Sequence, residues 1–242
     1  MTGPYGEDLA YIHDVGHADF ALRSAPGILE LLREGGIESG LVVDLGCGSG
    51  LWARELVENG YRVLGIDISE AMIRLAREKA PEAEFRVESL FEAEIPPCDA
   101  VTAMGEVLNY LFDPENEERG LDRFFQRVHG SLRPGGVFIF DVLGPGQVPG
   151  GEARSFSIGP DWAVLNEKVE DEERGTMERR IVSFRRVGEL YRRDDEVHRV
   201  RLYRPEEIAA GLRGAGFEVG TMDSYGRRPF RENHTAFVAR KP

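Results

Sequence analysis

Only two of the 242 residues are cysteine, Cys47 and Cys98, far apart and in no Cys-x-x-Cys spacing. That excludes a disulfide framework and a cysteine-built zinc site, and it fits a reducing compartment. No stretch approaches the roughly 20 apolar residues of a membrane-spanning helix. The opening MTGPYGEDLA lacks the basic start and apolar centre of a secretory signal, so a soluble, cytoplasmic protein is expected. Positive charge is also short: 30 Lys and Arg face 43 Asp and Glu, a formal net charge of −13. General nucleic-acid binding draws its affinity from clustered cations on phosphates, so that class is disfavoured. Arg174–Arg204 runs the other way, with ten arginines and five acids. An arginine-rich solvated sheet face is the favoured reading, ahead of a local basic patch.

From Leu41 onward, short apolar runs alternate with amphipathic ones. LVVDLG reads as a strand, LWARELVENG as a helix closed by Gly60, and YRVLGIDI as a second strand. Ser69 is placed to cap the helix EAMIRLAREKA, which Pro81 ends. AEFRVES and CDAVTAMG supply a third and a fourth strand. NEERGLDRFFQRVHGSLRPGG reads as a helix ending in a Pro-Gly-Gly turn before the strand VFIFDVL. Strand–helix alternation implies right-handed crossovers and a parallel sheet. After Gly144 the pattern changes: GPGQVPGG is a linker, and WAVLNEKVE, TMERRIVSF and ELYRRDDEVHRVRLY alternate as an antiparallel meander. RPEEIAAGLRGAGF restores a helix with Pro205 in its first turn, and FEVGTMDSY and HTAFVARKP are two closing strands. Residues 1–40 read as helical but broken at Pro4, Gly16, Pro26 and Gly35–Gly36.

The segment VVDLGCGSG, residues 42–50, carries glycines at 46, 48 and 50 between a strand and a helix. A dinucleotide fingerprint requires a further glycine where this chain has Leu51. Asp67 ends the second strand, where an acid accepts hydrogen bonds from ribose hydroxyls in dinucleotide and adenosyl sites alike.

VVDLGCGSG, then GIDIS, then LRPGG before a fifth strand resembles a class I S-adenosylmethionine-dependent methyltransferase over about residues 41–143. The resemblance implies an α/β, Rossmann-like sheet of seven mostly parallel strands with helices on both faces and the last strand antiparallel. The meander is similar to insertions of small-molecule methyltransferases, sugar N-methyltransferases among them. Four regions follow: 1–40, a helical lid; 41–145, the S-adenosylmethionine-binding core; 146–204, an antiparallel β insertion; and 205–242, the closing helix and strands.

On the same resemblance, Gly46, Gly48 and Gly50 clear space for the ligand, with Cys47 as a small filler between them. Asp44 orders the loop and the ammonium region, and Asp67 takes the ribose hydroxyls. Ile68 and Met72 line the adenine, together with Ser89 and Leu90 where Asp is commoner in the family. Met104 and Gly105 lie beside the methionine part. The lid tyrosines Tyr5 and Tyr11 are expected at the methionine carboxylate, with His17 or Phe20 facing substrate. S-adenosylmethionine is thus the expected cofactor, with S-adenosylhomocysteine as its product.

Open α/β sheets bind ligands beyond the carboxyl ends of their strands. Glu106, Asn109 and Tyr110 therefore stand as candidates to orient a methyl acceptor, with Asp141 as a fourth; helix capping and packing explain Asn109 and Tyr110 equally well. His198, Arg201, Tyr191, Tyr225 and His234 are further candidates for the acceptor pocket. HDVGH resembles the zincin HExxH signature, but the acid is Asp, Gly16 weakens the helix and no third ligand is evident, so no metal is expected. The expected reaction is in-line methyl transfer to N or O of a small molecule. An RNA-modifying methyltransferase and a silent cofactor-binding module remain open, as does a homodimer through residues 146–204.

Overall fold

Residues 4–112, 115–226 and 229–242 are described by the computed structural model, with the side chains of 115–119 outside that description. In chain order the elements are α1 (Glu7–Gly16), α2 (Asp19–Glu34), β1 (Gly40–Leu45), α3 (Leu51–Glu58), β2 (Tyr61–Asp67), α4 (Glu70–Lys79), β3 (Glu84–Val87) and β4 (Cys98–Ala103). They continue with α5 (Glu115–Ser131), β5 (Leu132–Leu143), β6 (Glu152–Ile158), β7 (Trp162–Asp171), β8 (Thr176–Val187) and β9 (Leu190–Arg201). α6 (Pro205–Gly214), β10 (Glu218–Met222) and β11 (His234–Arg240) complete the chain.

Seven strands form one sheet in the order β10-β11-β5-β4-β1-β2-β3, with β11 antiparallel to both neighbours and β1 to β5 parallel. This is the Rossmann-like architecture the sequence predicts. β5 shows why it holds. Phe138, Phe140 and Val142 pack into the layer under α5 and α6, whereas Val137 and Ile139 pack into the layer under α2, α3 and α4. A strand with both faces covered needs apolar residues at both parities, hence the run VFIF before Asp141 and VL after it. The sheet reverses its order at β1, which pairs with β2 on one side and β4 on the other. The carboxyl ends of these strands therefore border a crevice, and the glycine segment crosses it.

The second sheet is the meander β6-β7-β8-β9. The sequence showed three of its strands. β6 carries no strand signal in the sequence because it is an edge strand with nearly every residue exposed, so burial imposes no alternation on it. α1 lies on this sheet: Ile12 packs with Trp162 and Val164, and a Cβ on Gly16 would stand 2.4 Å from the Trp162 ring.

Two other boundaries differ from expectation. Pro26 sits inside α2 instead of breaking it. The carbonyl that loses its partner belongs to Leu22, an exposed residue. Leu132–Gly136 is not a free turn but the start of β5; Leu132 pairs with Cys98, and the register then shifts at a bulge before Ala100. Ser69 caps α4 as expected, its hydroxyl accepting from the Met72 amide at 3.2 Å. Among the described residues no helix is long and apolar enough to cross a membrane.

Candidate active site

A cavity of about 800 Å³ opens beyond the carboxyl ends of β1, β2, β4 and β5. Its floor is the glycine segment and its roof is α1 with the inner face of β7 and β8. The roof is tied down by charge. Glu196 accepts from the amides of Tyr5 and Gly6 at 2.8 Å each, and buried Asp8 pairs with Arg185 and Arg192. Asp14 accepts from Ser49 Oγ at 2.6 Å and pairs with Lys79, which anchors α1 to the loop and to α4.

On the floor, Asp67 is the centre of a small network. One carboxylate oxygen accepts from the Gly48 amide at 2.9 Å and the other from the Ser69 amide at 2.8 Å. Burial raises its pKa, and the two amides work against that shift. Asp44 is 2% exposed and accepts from Thr102 Oγ1 at 2.8 Å, which in turn accepts from Trp52 Nε1 at 3.1 Å. Burial is the main reason its carboxyl is pushed up to about 7; Asp67 adds to the shift and the Thr102 hydroxyl opposes it. Burial and the same two acids hold Cys47 well above the usual thiol range, so it stays a thiol.

Gly46, at φ +68, leaves no room for a side chain, since a Cβ there would stand 2.3 Å from Val107 Cγ1. Gly48, at φ +53, has nothing within 4 Å of that position and leaves the floor open. Ile68 and Met72 line the cavity beside Asp67, as do Ser89 and Leu90 beyond β3 and Met104 and Gly105 beyond β4.

The segment after β4 is held by Asp141, which is fully buried at the end of β5. Its carboxylate accepts from the amides of Gly105 and Glu106 at 2.9 and 2.8 Å, from Tyr225 OH at 3.0 Å and from His234 Nε2 at 2.7 Å. Glu106 adopts φ +59, a left-handed conformation that costs a non-glycine residue energy and that Asp141 sustains. Its side chain pairs with Arg179 Nη1 at 2.5 Å, and the same nitrogen donates to Tyr110 OH at 3.0 Å. Tyr5 OH lies 3.0 Å from Tyr110 OH. His13, in the roof, has its pKa lowered to about 4, first by burial and then by His17, and so is neutral.

Several expected site residues stand outside the cavity, Asp141 beneath it among them. Tyr11 turns toward the meander, donating to Asp161 at 2.9 Å beneath the Arg185 guanidinium. Gly50 serves helix packing: a Cβ there would stand 2.8 Å from Ala76 Cα of α4. Asn109 is fully buried; it donates to the carbonyls of Leu143 and Arg201 and accepts from the Leu143 amide, which spends its whole amide on backbone. Tyr5, Asp44, Gly46, Cys47, Gly48, Asp67, Glu106 and Tyr110 do meet at the cavity. So do His17, Phe20, His198, Tyr225 and His234, while Tyr191 is exposed on the outer face of the meander and Arg201 is turned away.

Arg179, Lys168, Trp52 and Phe112 border the cavity without having been singled out from sequence. The signal for Arg179 was strand parity. It shares the inward parity of Met177, opposite to that of Glu178 and Arg180. Among the described residues no group of three or more His, Cys, Asp or Glu is arranged to hold a metal ion.

Residues 42–136 match a family described as a methyltransferase domain. The chain is 28% identical over 202 residues, 75% of each chain, to the Bacillus subtilis (strain 168) protein named "Putative methyltransferase YqeM". A solved S-adenosylmethionine-dependent methyltransferase from Clostridium acetobutylicum ATCC 824 superimposes with a TM-score of 0.81 at 22% identity, covering 96% of both chains. The sugar N-methyltransferase KedS8 from Streptoalloteichus sp ATCC 53650 gives 0.79 at 20% identity, covering all of this chain and 96% of that one. At these identities the structural likenesses establish the fold.

Proposed function

We propose that this chain, a member of the class I S-adenosylmethionine-dependent methyltransferases, transfers a methyl group to a nitrogen or oxygen of a small-molecule acceptor by in-line displacement. The observation that carries the reading is that the carboxylate floor and the Glu106–Arg179–Tyr110 wall share one roofed cavity of about 800 Å³. That is room for a nucleoside ligand and a small acceptor, and not for a folded RNA. The floor fits the donor. Asp67 keeps lone pairs for the two ribose hydroxyls after holding two amides, and Asp44 offers a carboxylate to an ammonium group. Apolar Ile68 and Met72, which line the cavity beside Asp67, would flank the adenine.

S-adenosylmethionine supplies a sulfonium-activated methyl group; the chain's residues supply alignment and dryness. Good alignment of two reactants is worth on the order of 7–11 kcal/mol. Glu106 and Tyr110 orient the acceptor atom, and α1 excludes water. The arginine-rich segment gives the RNA reading little support, because Arg179, Arg180, Arg185, Arg192, Arg193 and Arg199 are each paired with an acid. The test is a panel of small amines and alcohols with S-adenosylmethionine, scored by S-adenosylhomocysteine formed and by a 14-dalton gain on the acceptor (about one CH₂). The reading fails if oligoribonucleotides gain methyl groups and no small molecule does.

Asp44 makes binding depend on pH. With its carboxyl near 7 it is protonated in the empty protein below that pH, and an ammonium partner needs it ionised. Affinity for S-adenosylhomocysteine should therefore weaken by up to about tenfold per unit as pH falls below 7. Asp44→Asn should bind more weakly with a flat profile over about pH 5–8. The sign for stability is the reverse. A carboxyl whose folded pKa exceeds its unfolded value favours folding at low pH and loses that contribution as pH rises toward 7. Asp44→Asn should accordingly stabilise the ligand-free protein at alkaline pH, as thermal melts will show.

The same reading includes a second copy of the chain, docked on the outer face of the meander. Phe156 and Ile158 are more than 70% exposed there, beside Leu165 at 50%, across from paired charges such as Arg154 with Glu167. Light scattering should give the mass of a dimer, and Phe156→Asp with Leu165→Asp that of a monomer. An unchanged mass in the double variant removes the dimer from the account.

A further inference from the structure

The cavity is polarised. Its floor carries the acids Asp44 and Asp67, whereas the face built by the meander and the loop before β11 carries Lys168, Arg179 and Arg231. Lys168 of β7 and Arg179 of β8 are register partners on the same face of the sheet, so two cations stand directly opposite each other. Like charges so placed destabilise a sheet unless something compensates. For Arg179 that something is Glu106, at 2.5 Å. Lys168 has no such partner: among the described residues its side chain makes no ion pair and no hydrogen bond. It is half-buried, and its charge is disfavoured first by burial and then by Arg179 and Arg231, with Glu106 opposing. Arg231 likewise has no ion pair among the described residues. A surface lysine ordinarily extends its ammonium to water. A half-buried cavity lysine paired across the sheet with Arg179, with the exposed Arg231 on the same cavity and no ion pair of its own, offers an anion two cations at one end of the cavity.

We propose that this end of the cavity is an oxyanion subsite, so that the methyl acceptor carries a carboxylate or phosphate seated on Lys168 and Arg231. The assignment of that anion to the acceptor rests on the methyltransferase reading; the subsite itself does not. The anion gives Lys168 the direct ion pair that Glu106 makes with Arg179, and it points the acceptor's far end toward Glu106 and Tyr110. Lysine suits this role as a point charge on an oxyanion, with arginine adding a planar pair of donors.

Calorimetry on the protein saturated with S-adenosylhomocysteine tests it, with inorganic phosphate, pyrophosphate and malonate as probes. At least one probe should bind the wild type at one site. Lys168→Gln and Arg231→Gln should each weaken that binding by about tenfold, the loss of one charge-assisted hydrogen bond. Lys168→Arg should retain it, and S-adenosylhomocysteine affinity should be unchanged in all three. Preference for the phosphates identifies a phosphate-bearing acceptor, and preference for malonate a carboxylate-bearing one. The subsite is overturned if no probe binds at concentrations on the order of ten millimolar, or if Lys168→Gln binds as tightly as wild type. Should S-adenosylhomocysteine itself fail to bind, the methyl-donor reading falls, and titration of the ligand-free protein still decides the subsite.

Discussion

Asp67→Ala is expected to weaken S-adenosylhomocysteine binding by at least about a hundredfold, since two charge-assisted hydrogen bonds to ribose are lost at about 1.5–3 kcal/mol each. The carboxylate works in two directions. It holds the Gly48 and Ser69 amides, fixing the glycine segment against the start of α4, and it presents its remaining lone pairs to the cavity. Asp67→Asn separates these roles. Its amide oxygen can keep one backbone contact and one ligand contact, so an intermediate loss is expected. Calorimetric titration at one pH reads both. If Asp67→Ala binds within about fivefold of wild type (roughly 1 kcal/mol), Asp67 is not the ribose ligand.

Removing the Asp141 carboxylate should have the largest effect on stability. Four donors converge on this fully buried group: two backbone amides, a tyrosine hydroxyl and an imidazole. Asp141→Ala leaves all four without an acceptor in a closed interior. Breaking such a buried charged network costs about 3–5 kcal/mol, or roughly 10 °C in Tm for a chain of this size. The left-handed turn at Gly105–Glu106 loses its support at the same time, so activity should fall further than the loss of folded protein explains. Asp141→Asn recovers volume but brings an NH₂ where only acceptors are wanted, so it should remain destabilised. A Tm within about 2 °C of wild type for Asp141→Ala, less than 1 kcal/mol, would show that the network is not what holds the turn.

Much of the core was legible because burial writes itself into residue order. β1, β2, β4 and β5 are apolar runs flanked by turn residues, and Ser69, Pro205 and the glycine segment mark helix starts. The parts that escaped lack such a mark. β6 is exposed along nearly its whole length, and α2 continues through Pro26, where the carbonyl left without a donor belongs to the exposed Leu22. The expected site residues that lie outside the cavity share a different cause. Asn109, Tyr11 and Gly50 sit beside cavity residues in sequence, but their side-chain direction is set by contacts with β5, β9, the meander and α4, which lie far along the chain. Arg179 and Lys168 were hidden by parity. In ERR and NEKVE each inward residue stands next to an outward one of equal polarity, and only the packing of Met177 and Val164 decides which is which.

The claim on which the account rests is that the glycine floor binds a methyl donor. Titration of the purified protein with S-adenosylmethionine, S-adenosylhomocysteine and NAD in parallel tests it most directly. The account predicts one site for each of the first two, with Kd on the order of micromolar, and no heat from NAD. Binding of NAD without either adenosyl ligand would contradict it.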